Sequence, residues 1–315
     1  MPDELLPIPD GTPEVVYHYT SIDTMMKIVD SESIWATSVC YLNDTSEQLH
    51  FLNLVQSRIP FIQFATPEDH ETAASFKAVD NLGFENRPFI ASFSAEADSL
   101  PQWRSYCNSG NGVAIGFSAG CLSRSAVKSA KSATNHVDFD RVEYPDAHNG
   151  YQEIDAEIVR SLDESKVGIE VIKRIFSPNP LPAVWVPFTV ARFFSIILQR
   201  RACFRKNASF RSENEYRIVV NALSQSYDLY RYRTSRSCMI PFLELAIPRY
   251  EEGHDQDPDD VDLSNPMVGS YQFIKRVVIG PTPNMDLTLD TVKAFFRSKR
   301  IGVQVVPSNV SFRDW

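Results

Sequence analysis

The part of the chain best equipped for chemistry is Glu213-Asn214-Glu215-Tyr216-Arg217, which runs straight into Ile218, Val219 and Val220. The β-branched run predicts a strand, and a strand sends successive side chains to opposite faces. Glu213, Glu215 and Arg217 then share one face, roughly 6–7 Å apart along the strand, and Asn214, Tyr216 and Ile218 share the other. Two carboxylates on one face repel each other, so inside a core the pair needs a purpose. Such a pair can stabilise a developing positive charge or move a proton. With a third acid such as Asp44 it can instead hold a magnesium ion, as in a metal-dependent nuclease, although the usual Lys after an acidic nuclease strand is missing. On an edge strand the same alternation is simply a solvated outer face.

A second candidate stretch lies near the N-terminus. Val15 to Thr20 predicts a strand with Val16, His18 and Thr20 on one face and Val15, Tyr17 and Tyr19 on the other. Ser21 is placed to cap a following helix whose apolar stripe is Ile22, Met25, Met26 and Val29. Residues 34–37 predict another strand, and Asn43 and Asp44 a helix start with Glu47 closing a capping box. Further strands are expected at 88–94, 113–117, 137–144, 239–246, 276–279 and 303–306. Helices are expected at 67–82, 100–106, 151–176, 182–205 and 289–299, with Ser177-Pro178-Asn179-Pro180 as a breaker. Strands in two clusters with long helices between them are not a regular βαβ alternation. They predict an α+β fold with a mixed, largely antiparallel sheet and flanking helices. The reading is a loose leader over 1–13, then a single domain over 14–315. That domain carries a helical insertion at about 145–205 and a mobile, acidic, Asp/Pro-rich loop at about 251–265.

The 315 residues suffice for a sizeable core. With 31 basic and 40 acidic residues the net charge is −9, which argues against broad coating of nucleic acid. The five cysteines are scattered without a C-x-x-C pair, and the six histidines show no ligand spacing. A disulfide framework and a zinc site are therefore not expected, and a reducing, cytoplasmic setting fits. The acidic, proline-rich start is unlike a signal peptide, and no apolar run is long enough to span a bilayer. Gly110, Gly112 and Gly116 lead into a strand with no Lys-Ser/Thr following, so they do not make a phosphate loop. No G-x-S-x-G elbow is present.

Tyr17-His18-Tyr19-Thr20-Ser21, Ile34-Trp35-Ala36-Thr37 and Leu42 to Glu47 resemble the opening of a large family of bacterial proteins of unknown function. The resemblance continues through Ser92-Phe93-Ser94, Leu100 to Tyr106, Gly112 to Phe117, and Phe204 to Val219 with Lys206 and Phe210. It closes with Ile279-Gly280-Pro281 and Ser308 to Arg313. The opening also looks like the NAD-binding start of ADP-ribosyltransferases of the DarT type, over short scattered segments. That likeness implies an ADP-ribosyltransferase-like fold with NAD as substrate and an unknown macromolecular acceptor, protein or nucleic acid, in a toxin- or defence-like role. A partner protein or homo-oligomer is possible on this reading, and a membrane is not involved.

The same likeness implies roles for Glu215, His18, Thr20 and an aromatic, and the strand spacing adds roles for Glu213 and Arg217 on the face of Glu215. Glu215 would stabilise the positive ribose and hold its 2′-hydroxyl, and Glu213 would orient or deprotonate the nucleophile. His18 and Thr20 would seat the ribose or the nicotinamide amide, with Tyr106 or Tyr41 as the aromatic. Arg217 would keep a carboxylate ionised or clamp a phosphate. The strand carrying His18 and the strand carrying Glu215 should then line one crevice sized for a dinucleotide. Each residue also has a plainer reading. His18 can be a satisfied polar strand residue, Trp103 and Tyr106 can be core packing, and the basic run Arg192, Arg200, Arg201, Arg205, Lys206, Arg211, Arg217 can be a solvated helix flank. A non-enzymatic nucleotide- or partner-binding module stays open as the alternative.

Overall fold

Alternating side chains set the central strands, and one of those strands has three partners. The computed structural model describes residues 8–42, 45–76, 88–107, 110–130, 136–145, 150–175, 185–221, 229–235, 237–247 and 273–310. Several features of the sequence lie outside them: the first seven residues, the Asn43-Asp44 cap, the Ser177–Pro180 breaker, the acidic loop and Ser311 to Arg313.

The first strand, β1 (Val15–Ser21), leads through α1 (Ile22–Ser31) to β2 (Ser33–Ser38). The Ser21 hydroxyl caps α1 by accepting from the Thr24 N–H at 3.1 Å. Next come α2 (Thr45–Arg58), α3 (Pro67–Ala74), β3 (Phe89–Ser94), α4 (Leu100–Tyr106), β4 (Gly112–Ser118) and α5 (Ala119–Ala130). They are followed by β5 (His136–Arg141), α6 (Gly150–Ile175), α7 (Val186–Ala202) and β6 (Glu215–Asn221). The chain closes with β7 (Arg231–Thr234), β8 (Met239–Ala246), β9 (Ile274–Ile279), α8 (Met285–Ser298) and β10 (Gln304–Pro307).

All ten strands join one sheet, ordered β10-β9-β4-β1-β3-β2-β8-β7, with β6 and then β5 branching from β3. Among the described strands only β9 and β10 pair in parallel, so the fold is α+β with a mixed, mostly antiparallel sheet. The branch is the feature that matters for function. β6 pairs with all six residues of β3, from Phe89↔Val220 to Ser94↔Glu215. The other edge of β3 is shared. β1 touches it only at Tyr17↔Ser94, and β2 only at Thr37↔Ile90 and Ser38↔Phe89. Beyond Tyr17, β1 follows β4 as far as Ser21↔Gly112, while β2 follows β8. The two strands part like a fork, and Ser92 sits in the opening.

Alternation on β3 divides the cores. Phe89, Ala91 and Phe93 enter the main core, which α1, α5 and α8 cover with Met25, Val29, Leu122, Val292 and Phe296. Ile90, Ser92 and Ser94 face the other way, beside Val219, Arg217 and Glu215 of β6. A helical layer covers this second side. α6 and α7 pack with α2 and α3 around Phe51, Val55, Phe76, Ile158, Leu162, Phe194 and Leu198. The long helices therefore share their core with two helices from before β3. A small cluster of Val39, Ile90, Cys203 and Val219 fastens the end of α7 over the fork.

Two elements, α5 and β7, were not expected from the sequence. α5 is made largely of Ala, Ser and Gly with few large apolar residues, and all four residues of β7 are exposed, so β7 shows no apolar face.

Candidate functional site

The acidic stretch reaches the fork by a different local path from a plain strand. Ala208 to Glu213 form a 3-10 helix, capped where the Asn207 side chain accepts from the Ser209 N–H at 2.9 Å. Asn214 then turns in the left-handed region at φ 43°, and the strand begins only at Glu215. Asn can take that conformation because its short side chain finds local hydrogen bonds. Here it donates to Glu96 at 3.1 Å and accepts from Arg141 at 3.0 Å. Glu213 is therefore not a strand neighbour of Glu215, as alternation had implied. The turn nevertheless returns its carboxylate to the same place.

What joins the two acids is Lys206. Its Nζ donates to Glu213 Oε2 at 2.6 Å and to Glu215 Oε2 at 3.4 Å. Arg217 grips Glu215 from the other side, Nε to Oε1 at 2.7 Å and Nη2 to Oε2 at 2.9 Å, and its Nη1 donates to the Cys203 carbonyl at 2.5 Å. The four side chains are 6–11% exposed, so this is a buried, charge-balanced quartet. Burial alone would push the Glu215 carboxyl upward. Arg217 first, then Lys206 and the Ser92 side chain, outweigh it and hold the group below its ordinary value. Glu215 is thus a carboxylate at neutral pH despite its burial. Its backbone N–H donates to the Tyr144 hydroxyl at 3.0 Å, and burial pushes that phenol up to about 12.

His18 approaches from β1. Where the fork opens, no strand takes the Ser92 carbonyl, and the imidazole takes it instead through Nδ1 at 3.0 Å. A carbonyl only accepts, so Nδ1 carries the hydrogen, and in the neutral ring Nε2 is left as an acceptor. Burial lowers the tendency of His18 to protonate, and the Ser92 bond offsets this only in part. For a His held below its ordinary value of 6.5, the unfolded chain binds the proton first as pH falls. Stability is therefore lost on acidification below about 6.5. We expect His18→Asn, which can keep a donor to Ser92, to lose less stability between pH 7 and about 5.5 than the wild type does. Denaturant midpoints at the two pH values measure it, and equal losses would refute it.

Two connected cavities occupy the fork. The larger, about 280 Å³, is lined by Trp35, Thr37, Ile90, Arg205, Lys206 and Arg233 among others. The smaller, about 60 Å³, lies against Tyr17, Tyr19, Ser94, Gln102 and Glu213. His18, Ser92, Tyr106 and Glu215 line both. The two strands singled out in the sequence do line one crevice. At this size it falls just below the roughly 300–1,000 Å³ of small-molecule clefts, so an entire dinucleotide does not fit inside it.

The remaining residues divide. Tyr106 is 46% exposed over the crevice, and its phenol is held protonated by burial and by the negative charge of Glu213. Trp103, one turn away, is core. It is 1% exposed, packs edge-on against Tyr19 at 4.6 Å and donates to Asp98 at 2.7 Å. Thr20 lines neither cavity, because β1 has by then left β3, and its carbonyl accepts from Cys107 Sγ at 3.5 Å. Tyr41 lines a separate open groove of about 860 Å³ with Cys40, Thr234 and Cys238. Leu42 and Arg233 line both that groove and the crevice.

Arg217 donates to Glu215 and to the Cys203 carbonyl, which matches the first of its two expected roles, keeping a carboxylate ionised. Most of the basic run is likewise paired internally. Arg200 and Arg201 both bridge to Glu164, Arg201 also meets Glu157 at 2.6 Å, Arg205 meets Glu143 at 3.2 Å, and Arg211 donates to the Tyr144 carbonyl. Arg200 and Arg201 thereby tie α7 to α6, while Arg205 and Arg211 tie the segment after α7 to the segment after β5.

Among the described residues no cluster of three or more His, Cys, Asp or Glu side chains is placed to hold a metal. The space between Glu213 and Glu215 is filled by the Lys206 ammonium, and Asp44 lies outside the described residues. Among the described residues no helix is long and apolar enough to cross a membrane.

No curated protein and no solved structure matches the chain. Residues 102–218 match the family model described as "Protein of unknown function (DUF2971)". The stretch that supplies Gln102, Tyr106, Lys206, Glu213, Glu215 and Arg217 to the crevice is therefore similar to an uncharacterised family.

Proposed function

We propose that the fork is the site of an NAD-consuming reaction, in which the nicotinamide–ribose bond is cleaved and ADP-ribose passes to water or to a macromolecular acceptor. The fold is then of the ADP-ribosyltransferase type. The observation that carries this reading is Glu215: a buried carboxylate kept ionised by its neighbours at the floor of a crevice. When the bond breaks, its electron pair leaves with the nicotinamide nitrogen and positive charge builds on the ribose. A fixed, desolvated carboxylate favours that charge more than it favours the ground state. His18 offers Nε2 as an acceptor for a ribose hydroxyl, and Tyr106 offers a protonated phenol. Glu213 stands beside the smaller cavity, where an attacking water or side chain would sit.

Size is met by extension. The crevice takes the nicotinamide ribose, and the rest of the dinucleotide runs past Arg233 and Leu42 into the open groove. Arg233 is exposed over Trp35, 6.0 Å from the ring centroid, and suits a diphosphate there.

The test is incubation of the full chain with NAD, following nicotinamide and the fate of a label on the ADP-ribose. Catalytic release that saturates with NAD is the expected result, and no release from NAD under any acceptor condition would overturn the reading. One observation favours the alternative, binding without turnover: Arg217 and Lys206 already balance the acidic pair, which suits a ligand sensor. In that case NAD raises the melting temperature but is recovered intact.

A further inference from the structure

We propose that Lys206 is the positioning residue of the fork, its ammonium lodged between Glu213 and Glu215 so that it holds both carboxylates together beside the cavity. Lys206 is nearly buried, at 6% side-chain exposure, and its Nζ lies within 3.4 Å of an oxygen of each acid. It also sits over the Phe210 ring at 4.7 Å, which fixes the ammonium from a third side. A lysine is almost never buried this deeply unless it is paired, and here both partners are carboxylates of the fork.

Among the described residues the other cations of the crevice are engaged elsewhere, Arg233 of β7 donating to the Thr37 hydroxyl at 3.4 Å. On β6, Arg217 spends Nε and Nη2 on Glu215 and Nη1 on the Cys203 carbonyl. On the segment after α7, Arg205 is turned to Glu143 at 3.2 Å. β3 contributes the Ser92 hydroxyl, β1 the neutral His18, α4 the uncharged Gln102 and Tyr106, and the segment after β5 the Tyr144 phenol. Without Lys206, two buried carboxylates face a single guanidinium. Like charges so close do not both stay ionised, and the pair takes up one proton from solvent.

The experiment reads that proton directly, in the full chain. The carboxylic C=O stretch is recorded by infrared difference between each variant and the same variant carrying E213Q. Wild type and K206R are expected to be silent at pH 7. K206M is expected to show the band, and to lose it only at a pH about one unit or more above the wild type's. A silent K206M, or a band of equal size in K206R, would overturn the proposal. K206Q replaces K206M if the latter does not fold. If neither folds, the wild type decides: a band already present at pH 7 overturns the proposal, and silence down to about pH 5 supports it.

A second arm rests on the NAD reading above. There K206M should lower kcat/KM at pH 7 by about tenfold, shift the acid limb upward by the same interval, and be rescued by K206R. A wild type inert with NAD would sink that reading while leaving the infrared result to stand or fall by itself.

Discussion

Glu215→Gln is expected to lower nicotinamide release from NAD by about 10²–10³-fold, the scale on which single preorganised electrostatic groups act in other active sites. The substitution is nearly isosteric, so it removes charge with little change of shape. The amide oxygen can still accept from Arg217, but the NH₂ group must then face the Lys206 ammonium or the rest of the guanidinium, where only donors wait. Part of the buried ion pair is therefore lost as well, at a cost of up to about 3–5 kcal/mol. The assay must accordingly be run well below the variant's melting temperature, with the fold checked by circular dichroism. A fall mainly in kcat would mean that Glu215 acts on the transition state, whereas a rise only in KM would assign it to binding. A folded Glu215→Gln protein that releases nicotinamide at the wild-type rate would remove Glu215 from the chemistry altogether.

How far the sequence led toward this site depended on whether its signals were local. The strand carrying His18 and the strand carrying Glu215 both announce themselves by β-branched and aromatic alternation, and the mixed, mostly antiparallel sheet follows from their order. The fork does not. It arises because β1 and β2 each prefer a different neighbour over β3, and such pairing preferences are tertiary. That is why Thr20, on the same face as His18 by alternation, lies away from the cavities. Glu213 was misplaced on the strand because Asn214 breaks the two-residue period. Asn is among the residues that tolerate the left-handed region, so a hint was present. Lys206 read as one member of a basic run, and its position between Phe204 and Phe210 was the only trace of burial. The partners of the remaining arginines sit on α6, on β5 and on the segment after β5, dozens of residues away, where composition says nothing about pairing.

Arg217→Met should be the most destabilising change in the fork, by about 3–5 kcal/mol at pH 7. The Arg217 side chain is 9% exposed, donates twice to Glu215 and donates to the Cys203 carbonyl. Methionine fills similar space but leaves Glu215 buried with the longer Lys206 contact and the Ser92 hydroxyl, without a guanidinium, and leaves the carbonyl without this donor. The loss must also depend on pH, with a sign fixed by linkage. Glu215 is held below its unfolded value of 4.5, so its stabilisation is fully present above that pH and disappears as pH falls through the folded value. Wild type and Arg217→Met should therefore converge on acidification, because the carboxyl protonates in both and the ion pair no longer distinguishes them. Urea melts at pH 7 and near pH 4 measure this. A difference under about 1 kcal/mol at pH 7, or one that widens in acid, would show that the pair is not what holds this corner of the sheet. The double variant Glu215→Leu/Arg217→Met should regain much of the lost stability, since replacing both partners removes the uncompensated buried charge that replacing one creates. If it does so while losing all turnover, the quartet is kept for chemistry at a site that an apolar core would stabilise equally well.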